Sequence, residues 1–215
     1  MSAEVDAFLA EAAALAAWIE QTYPGGRPDG GEWECGYDGW PGLYAAWRRL
    51  VATCPLPAWS PALRAAALEV LARDNECQQI ARATPRADVV ALSIVARAGG
   101  EHDARWQLAI ELADPAIAAA AAEPELVILA DDPDEYVRRR AVQSLARRHA
   151  ATAESLAVRE WRAAAPDLPW TRMNALWCLH HLGSAALPTL LAEADASPDP
   201  LLRDYAARVR AGTAT

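Results

Sequence analysis

The chain has 215 residues, 53% of them apolar, and a net charge of −9, which disfavours a general affinity for nucleic acid or anionic lipid because phosphate contact relies on clustered positive charge. All 20 bases are arginine, which excludes chemistry that requires a lysine, such as a Walker A phosphate grip or a Schiff base. Cys35, Cys54, Cys77 and Cys178 are scattered without a C-x-x-C pair, the first residues lack a signal-peptide pattern, and no apolar run reaches membrane-spanning length; a soluble, cytoplasmic protein with no membrane partner is expected.

Ser2 is placed to cap a first helix, whose apolar residues Val5, Phe8, Leu9, Ala12, Leu15, Ala16 and Ile19 keep three-and-four spacing up to Gln21 or Thr22. From Tyr23 to Gly42 follow seven glycines and three prolines, a composition that predicts a long loop, with Tyr23, Trp33, Tyr37 and Trp40 arguing against simple disorder. A second helix is predicted from Pro41 to about Thr53, stopped by Cys54-Pro55-Leu56-Pro57. Ser60-Pro61 opens a third over 61–74, serine capping an orphan N–H and proline presetting φ. Further helices are predicted over 76–83, 87–98, 101–113, 115–122, 124–131, 134–148, 151–164, 169–182, 185–195 and 199–211, with Gly99-Gly100, Gly183 and Gly212 at helix ends. Alanine-rich composition and few β-branched runs make the class all-α.

A pattern of Arg, a small or apolar residue three positions on and Leu four beyond that begins at Arg64, Arg105, Arg138 and Arg172, and in shortened form at Arg203, at intervals of 41, 33, 34 and 31. Two short helices and their turns occupy about that length, and one such unit cannot bury its own apolar face, so neighbours must stack. In the clearest unit, 130–148, Asp132-Pro133 makes the turn, Asp134 and Glu135 lie in the first helical turn, and Val137, Ala141 and Leu145 form the inward stripe. Ser197-Pro198-Asp199 with Arg203 and Ala206 repeats the design 65 residues later, where Arg210 replaces leucine, as suits a terminal unit.

Asp132-Pro133-Asp134-x-x-Val137-Arg138-x-x-Ala141-x-x-x-Leu145 resembles a HEAT repeat, and the similarity extends over roughly residues 60–212. The resemblance implies a right-handed α-solenoid of stacked antiparallel helix pairs, here preceded by an N-terminal cap over 1–59 with its long loop at 23–42, the repeats forming a single continuous domain. It implies a polar ladder in which the turn Asp132 and Arg138 link stacked units, with Arg64, Arg105, Arg172 and Arg203 at the matching positions; Gly99, Pro166 and Ser197 stand where those units would carry the aspartate. Arg138 is expected to matter for stability more than Arg139, which should lie on a more exposed face. The family implies protein interaction and carries no transferable catalytic residues.

The other candidate chemistry is sparse. His102, His149, His180, His181 and the cysteines lack the spacing of a zinc site, so neither metal nor other cofactor is expected. Asp131, Asp132, Asp134 and Glu135 lack a calcium loop's glycine and distal glutamate and read as turn and cap residues. Trp106, Trp161, Met173, Trp170 and Trp177 read as core, the last two being seven apart on one helix face.

The segment 23–42 exceeds structural need. It either caps the stack or binds a partner through Glu32, Trp33, Glu34, Tyr37, Asp38 and Trp40, aromatic anchors ringed by acids that would steer a basic protein. Residues 1–40 hold eight acids against Arg27 alone, which is −7 of the −9. The expectation is a non-catalytic protein-binding scaffold for a basic partner, in its sharpest form an immunity or antitoxin protein, with no nucleic-acid partner. The alternative is a HEAT-like enzyme, a DNA glycosylase or a bilin lyase, and self-association is a third.

Overall fold

A computed structural model describes residues 2–25, 33–164 and 168–214, Trp33 by its backbone alone. Among these residues there are helices, turns and no strand. The chain divides into two compact units, Met1–Glu111 and Leu112–Thr215, and the boundary expected at residue 60 falls inside the first.

The first unit contains α1 (Ala3–Thr22), α2 (Trp40–Thr53), α3 (Pro61–Arg73), α4 (Gln79–Ala83), α5 (Arg86–Gly99) and α6 (His102–Glu111), with 3-10 turns at Trp33–Gly36 and Leu56–Ala58. The cap residues act as their types require: Ser2 Oγ accepts from Val5 N–H at 3.4 Å and Ser60 Oγ from Leu63 N–H at 3.2 Å. Helix α1 packs on α2 and α3, α3 on α6, and α6 on α5. Trp47 is fully buried at the centre, its ring 5.5 Å from Phe8 and 5.7 Å from Trp59. Such tilted and edge-on aromatic contacts bury large area and fix how α1 and α2 meet.

The second unit contains α7 (Ala119–Leu129), α8 (Glu135–Arg147), α9 (Ala153–Ala163), α10 (Pro169–His181), α11 (Leu187–Asp195) and α12 (Pro200–Arg210). Sequential neighbours pair as α7 with α8, α9 with α10 and α11 with α12, while α8 also packs on α10 and α10 on α12. The second helices of three hairpins thus contact one another in succession. Their inward residues recur in register: Ala141 and Leu145 on α8, Ala175 and Leu179 on α10 and Ala206 on α12 are all fully buried. At the position of Leu145 the last hairpin has Arg210, which is exposed and pairs with Asp195.

Three expectations need correction. The break predicted near residue 123 does not occur, because α7 runs through Pro124. Proline forfeits one backbone hydrogen bond there, but Ala122, Leu126 and Leu129 are fully buried and hold the helix against α8. Trp170 is not core: it is 54% exposed, and Trp177 is half-buried, whereas Trp106 and Trp161 are buried. Arg139 is not the more exposed neighbour of Arg138, since its side chain retains 16% exposure against 27%. Its guanidinium bonds Glu135 at 3.0 Å and lies 4.4 Å from the Tyr136 ring centroid.

Candidate functional site

The matching arginines close turns. Arg138 donates to the carbonyls of Asp132 and Pro133 at 2.8 and 2.9 Å, and Arg203 donates to those of Ser197 and Pro198 at 2.7 and 2.9 Å, the same geometry 65 residues on. The turn side chains match too. Asp132 Oδ1 accepts from Asp134 N–H at 2.9 Å and Ser197 Oγ from Asp199 N–H at 3.2 Å, while Asp134 and Asp199 cap α8 and α12. A charged Nη1 donating to two carbonyls gives short, strong bonds and fixes the angle at which the second helix leaves the turn. Arg138 Nε also lies 3.7 Å from Glu160 on α9. Arg105 reaches the Gly100 carbonyl at 2.5 Å and Arg172 that of Ala164 at 3.2 Å. Arg64 is half-buried on α3, its Nε without a hydrogen-bond partner among the described residues.

Sequence reasoning missed Arg148, which does more of this work. Its guanidinium donates to the carbonyls of Leu112, Asp114 and Ile117 at 3.1, 2.7 and 2.7 Å, holding the segment before α7 against the end of α8. No pattern marks it apart from its place in the helix's last turn, where arginine is unremarkable.

The N-terminal candidate residues fall into different environments. Glu32 lies outside the described residues. Trp33 opens the 3-10 turn, and the next residue, Glu34, is 2% exposed. Tyr37 is buried, Trp40 half-buried and Asp38 exposed. The aromatics form a chain: Trp18 to Tyr37 at 5.3 Å, Tyr37 to Trp40 at 5.8 Å, and Trp40 stacked on Tyr44 at 5.4 Å. The Trp40 indole donates to the Glu34 carbonyl at 2.8 Å, which folds the turn back over the start of α2. Gly39 is required there, because a Cβ would meet the Tyr37 ring at 2.3 Å.

Beneath this turn lies a cavity of about 220 Å³ lined by Glu34, Cys35, Trp40, Tyr44, Arg73, Asp74, Glu76, Cys77 and Gln79. Asp74 is fixed on its floor, accepting from Tyr44 Oη at 2.7 Å and from Ile80 N–H at 2.6 Å. Burial pushes the Asp74 carboxyl above its ordinary value, with the Ile80 and Tyr44 hydrogen bonds opposing the shift, and it pushes the Tyr44 phenol up as well. Arg73 is 3% exposed and shared between Glu69 at 3.1 Å and Glu101. Asp74 and Arg73 therefore each have partners of the kind that make burial tolerable. Among the described residues no group of three or more His, Cys, Asp or Glu could hold a metal ion, and no helix is long and apolar enough to cross a membrane.

On the second unit a cationic aromatic stack lies across the ends of two hairpins. Arg147 sits 5.6 Å over Trp177, Trp177 stacks on His181 at 4.9 Å, and His181 on His149 at 5.0 Å. Burial, then the charges of His149, Arg147 and His180, hold the His181 imidazole below its ordinary value.

Comparison with known families places one name on this arrangement. The family described as HEAT repeats matches residues 122–210, the span from α7 to the end of α12. That segment is similar to HEAT repeats, and the helical hairpins are consistent with a HEAT-like repeat protein. No curated protein and no solved structure matches the chain. A HEAT-repeat segment is a helical-repeat scaffold of a kind that typically mediates protein interaction, and the three matched hairpins of α7 to α12 are its units here.

Proposed function

We propose that this protein is a non-catalytic, cytoplasmic binding scaffold whose acidic N-terminal region receives a basic protein partner. The carrying observation is the union of a HEAT-repeat segment at 122–210 with a first 40 residues holding −7 of the −9 net charge. Repeat hairpins supply rigid surface without reactive groups, and a concentrated field of one sign speeds encounter with a partner of the other. Asp38, exposed beside the half-buried Trp40, supplies the accessible part of the expected contact set. Glu34 and Tyr37, buried, support that surface from behind by shaping the turn. Four free cysteines support a reducing compartment. In its sharpest form the partner is a basic, nucleic-acid-acting toxin that this chain occludes.

The test is capture of partners from the native cell on immobilised full chain, followed by a salt titration. A retained basic protein, released as salt rises and weakened by Asp38→Arg with Trp40→Ala, is the expected result. An acidic partner, or retention indifferent to salt and to both substitutions, overturns the reading. If the captured protein degrades nucleic acid, addition of this chain should inhibit it; undiminished activity removes the immunity role alone.

A further inference from the structure

Helix α1 carries two apolar stripes. Val5, Phe8 and Leu15 are buried against neighbouring helices, while Leu9, Ala12, Ala13, Ala16 and Ile19 lie on an adjacent stripe that is half-buried or exposed. This second stripe and Ala66, Glu69 and Val70 of α3 line an apolar groove of about 260 Å³. Buried Leu15 and Val70 complete its lining, with Ala12, Ala13, Ala16 and Ala66 nearer the surface, and small side chains let a further helix approach within the 8–10 Å axis separation of packed helices. Leu9 and Ile19, both half-buried, stand at either end of the alanine run.

The charged residues that line the groove or stand in line with its stripe are acids. Asp6 and Glu20 stand seven residues either side of Ala13, and so on its line, at the two ends of the stripe, and both are exposed. Glu69 occupies the opposite wall. Glu69 pairs with Arg73, which is buried and divided between Glu69 and Glu101. Helix α1 itself contains Glu4, Asp6, Glu11 and Glu20 and no base. A second copy of this chain, with its net −9, would bring like charge to this rim.

Resting on the reading of a basic partner, we infer that the α1–α3 groove docks an amphipathic helix of that partner, its apolar face against the alanine-lined groove and its flanking arginines or lysines against Asp6, Glu20 and Glu69. From Asp6 to Glu20 the stripe runs about 21 Å, so the docked helix spans about 14 residues, or four turns.

The experiment measures binding of two synthetic helical peptides to the full chain by calorimetry, one alternating leucine with lysine in an amphipathic pattern and the other leucine with glutamate. The lysine peptide binds and the glutamate peptide does not. The double variant Ala13→Gln/Ala16→Gln, at exposed helical positions, weakens the lysine peptide by about tenfold or more, the loss of one well-packed apolar contact. Glu20→Arg weakens it too and flattens its salt dependence, and circular dichroism melting confirms that each variant is folded. Equal binding of both peptides overturns the charge assignment. Lysine-peptide binding untouched by the alanine variants overturns the groove, as does failure of the lysine peptide to bind. Light scattering that shows a dimer abolished by the alanine variants makes the occupant a second copy and overturns the proposal. The two levels separate cleanly with the captured native partner: loss on Asp38→Arg but not on Ala13→Gln/Ala16→Gln leaves the basic-partner reading standing and removes the groove.

Discussion

Arginine is the working residue of this chain, and its use depends on geometry that a flexible ammonium cannot copy. Arg148 spans three carbonyls of one turn with a planar fork, and without it those acceptors must find water at the cost of opening the turn. Arg148→Ala should lower unfolding stability by about 2–3 kcal/mol, and Arg148→Lys should recover less than half of that in denaturant melts, since one point charge cannot hold three acceptors in place. His149 is a second specialised residue. It sits at φ 53 where the matching helix end in the next hairpin has Gly183 at φ 64, and its ring stacks on His181. The folded state holds the His181 proton less firmly than the unfolded chain does, so its contribution to stability is complete above the ordinary imidazole range and is lost as pH falls through His181's lowered value. An NMR titration should find His181 below the ordinary histidine range, and His149→Gly should move it upward by removing one opposing charge. An unmoved His181 would show that His149 does not bear on it.

At the scale of elements, burial overrules local preference where the two conflict. Helix α7 keeps an exposed Pro124 in its interior because Ala122, Leu126 and Leu129 are sealed against α8. Restoring the missing N–H with Pro124→Ala should raise stability by about 2 kcal/mol, read as a higher denaturation midpoint with unchanged slope. No gain would mean that a bend at this position persists without the proline and leaves the restored N–H without its helical acceptor. The terminal hairpin shows the converse. Arg210 takes the position that leucine holds in the two preceding hairpins, and it turns to Asp195 and to the Leu191 carbonyl at 3.2 Å. The final helix thereby keeps a polar outer end.

At the scale of the whole molecule the two units differ in charge. Met1–Glu111 contains 15 acids and nine arginines, net −6, and Leu112–Thr215 contains 14 acids and 11 arginines, net −3. In the second unit Arg138, Arg148 and Arg203 are spent on internal carbonyls, and Arg159 and Arg162 pair with Asp131 and Glu193. Those five of the unit's eleven guanidinium groups are engaged internally. Duplex DNA should not be retained by the full chain in a gel-shift assay at physiological salt, and a retained complex would revive the enzymatic alternative.

Most helix positions, their caps, the repeat interval and the acid concentration at the N-terminus were legible in the linear sequence, because each rests on spacing or composition along one strand of chain; the break placed near residue 123 was not, because Pro124 reads as a helix stop and lies inside α7. Ser2, Ser60, Asp134 and Asp199 cap as their types predict, and Arg138 and Arg203 share one geometry because their turns share one pattern. What the tertiary structure alone decided was which side of each element meets water. Glu34 and Tyr37 turned inward while Asp38 stayed out, Trp170 was left exposed by the helices around it, and α1 was given a second apolar stripe with α3 as its opposite wall. Burial is set by what lies across from a residue, and those neighbours are distant in sequence: Asp74 meets Tyr44 across 30 residues, and Arg148 meets Ile117 across 31.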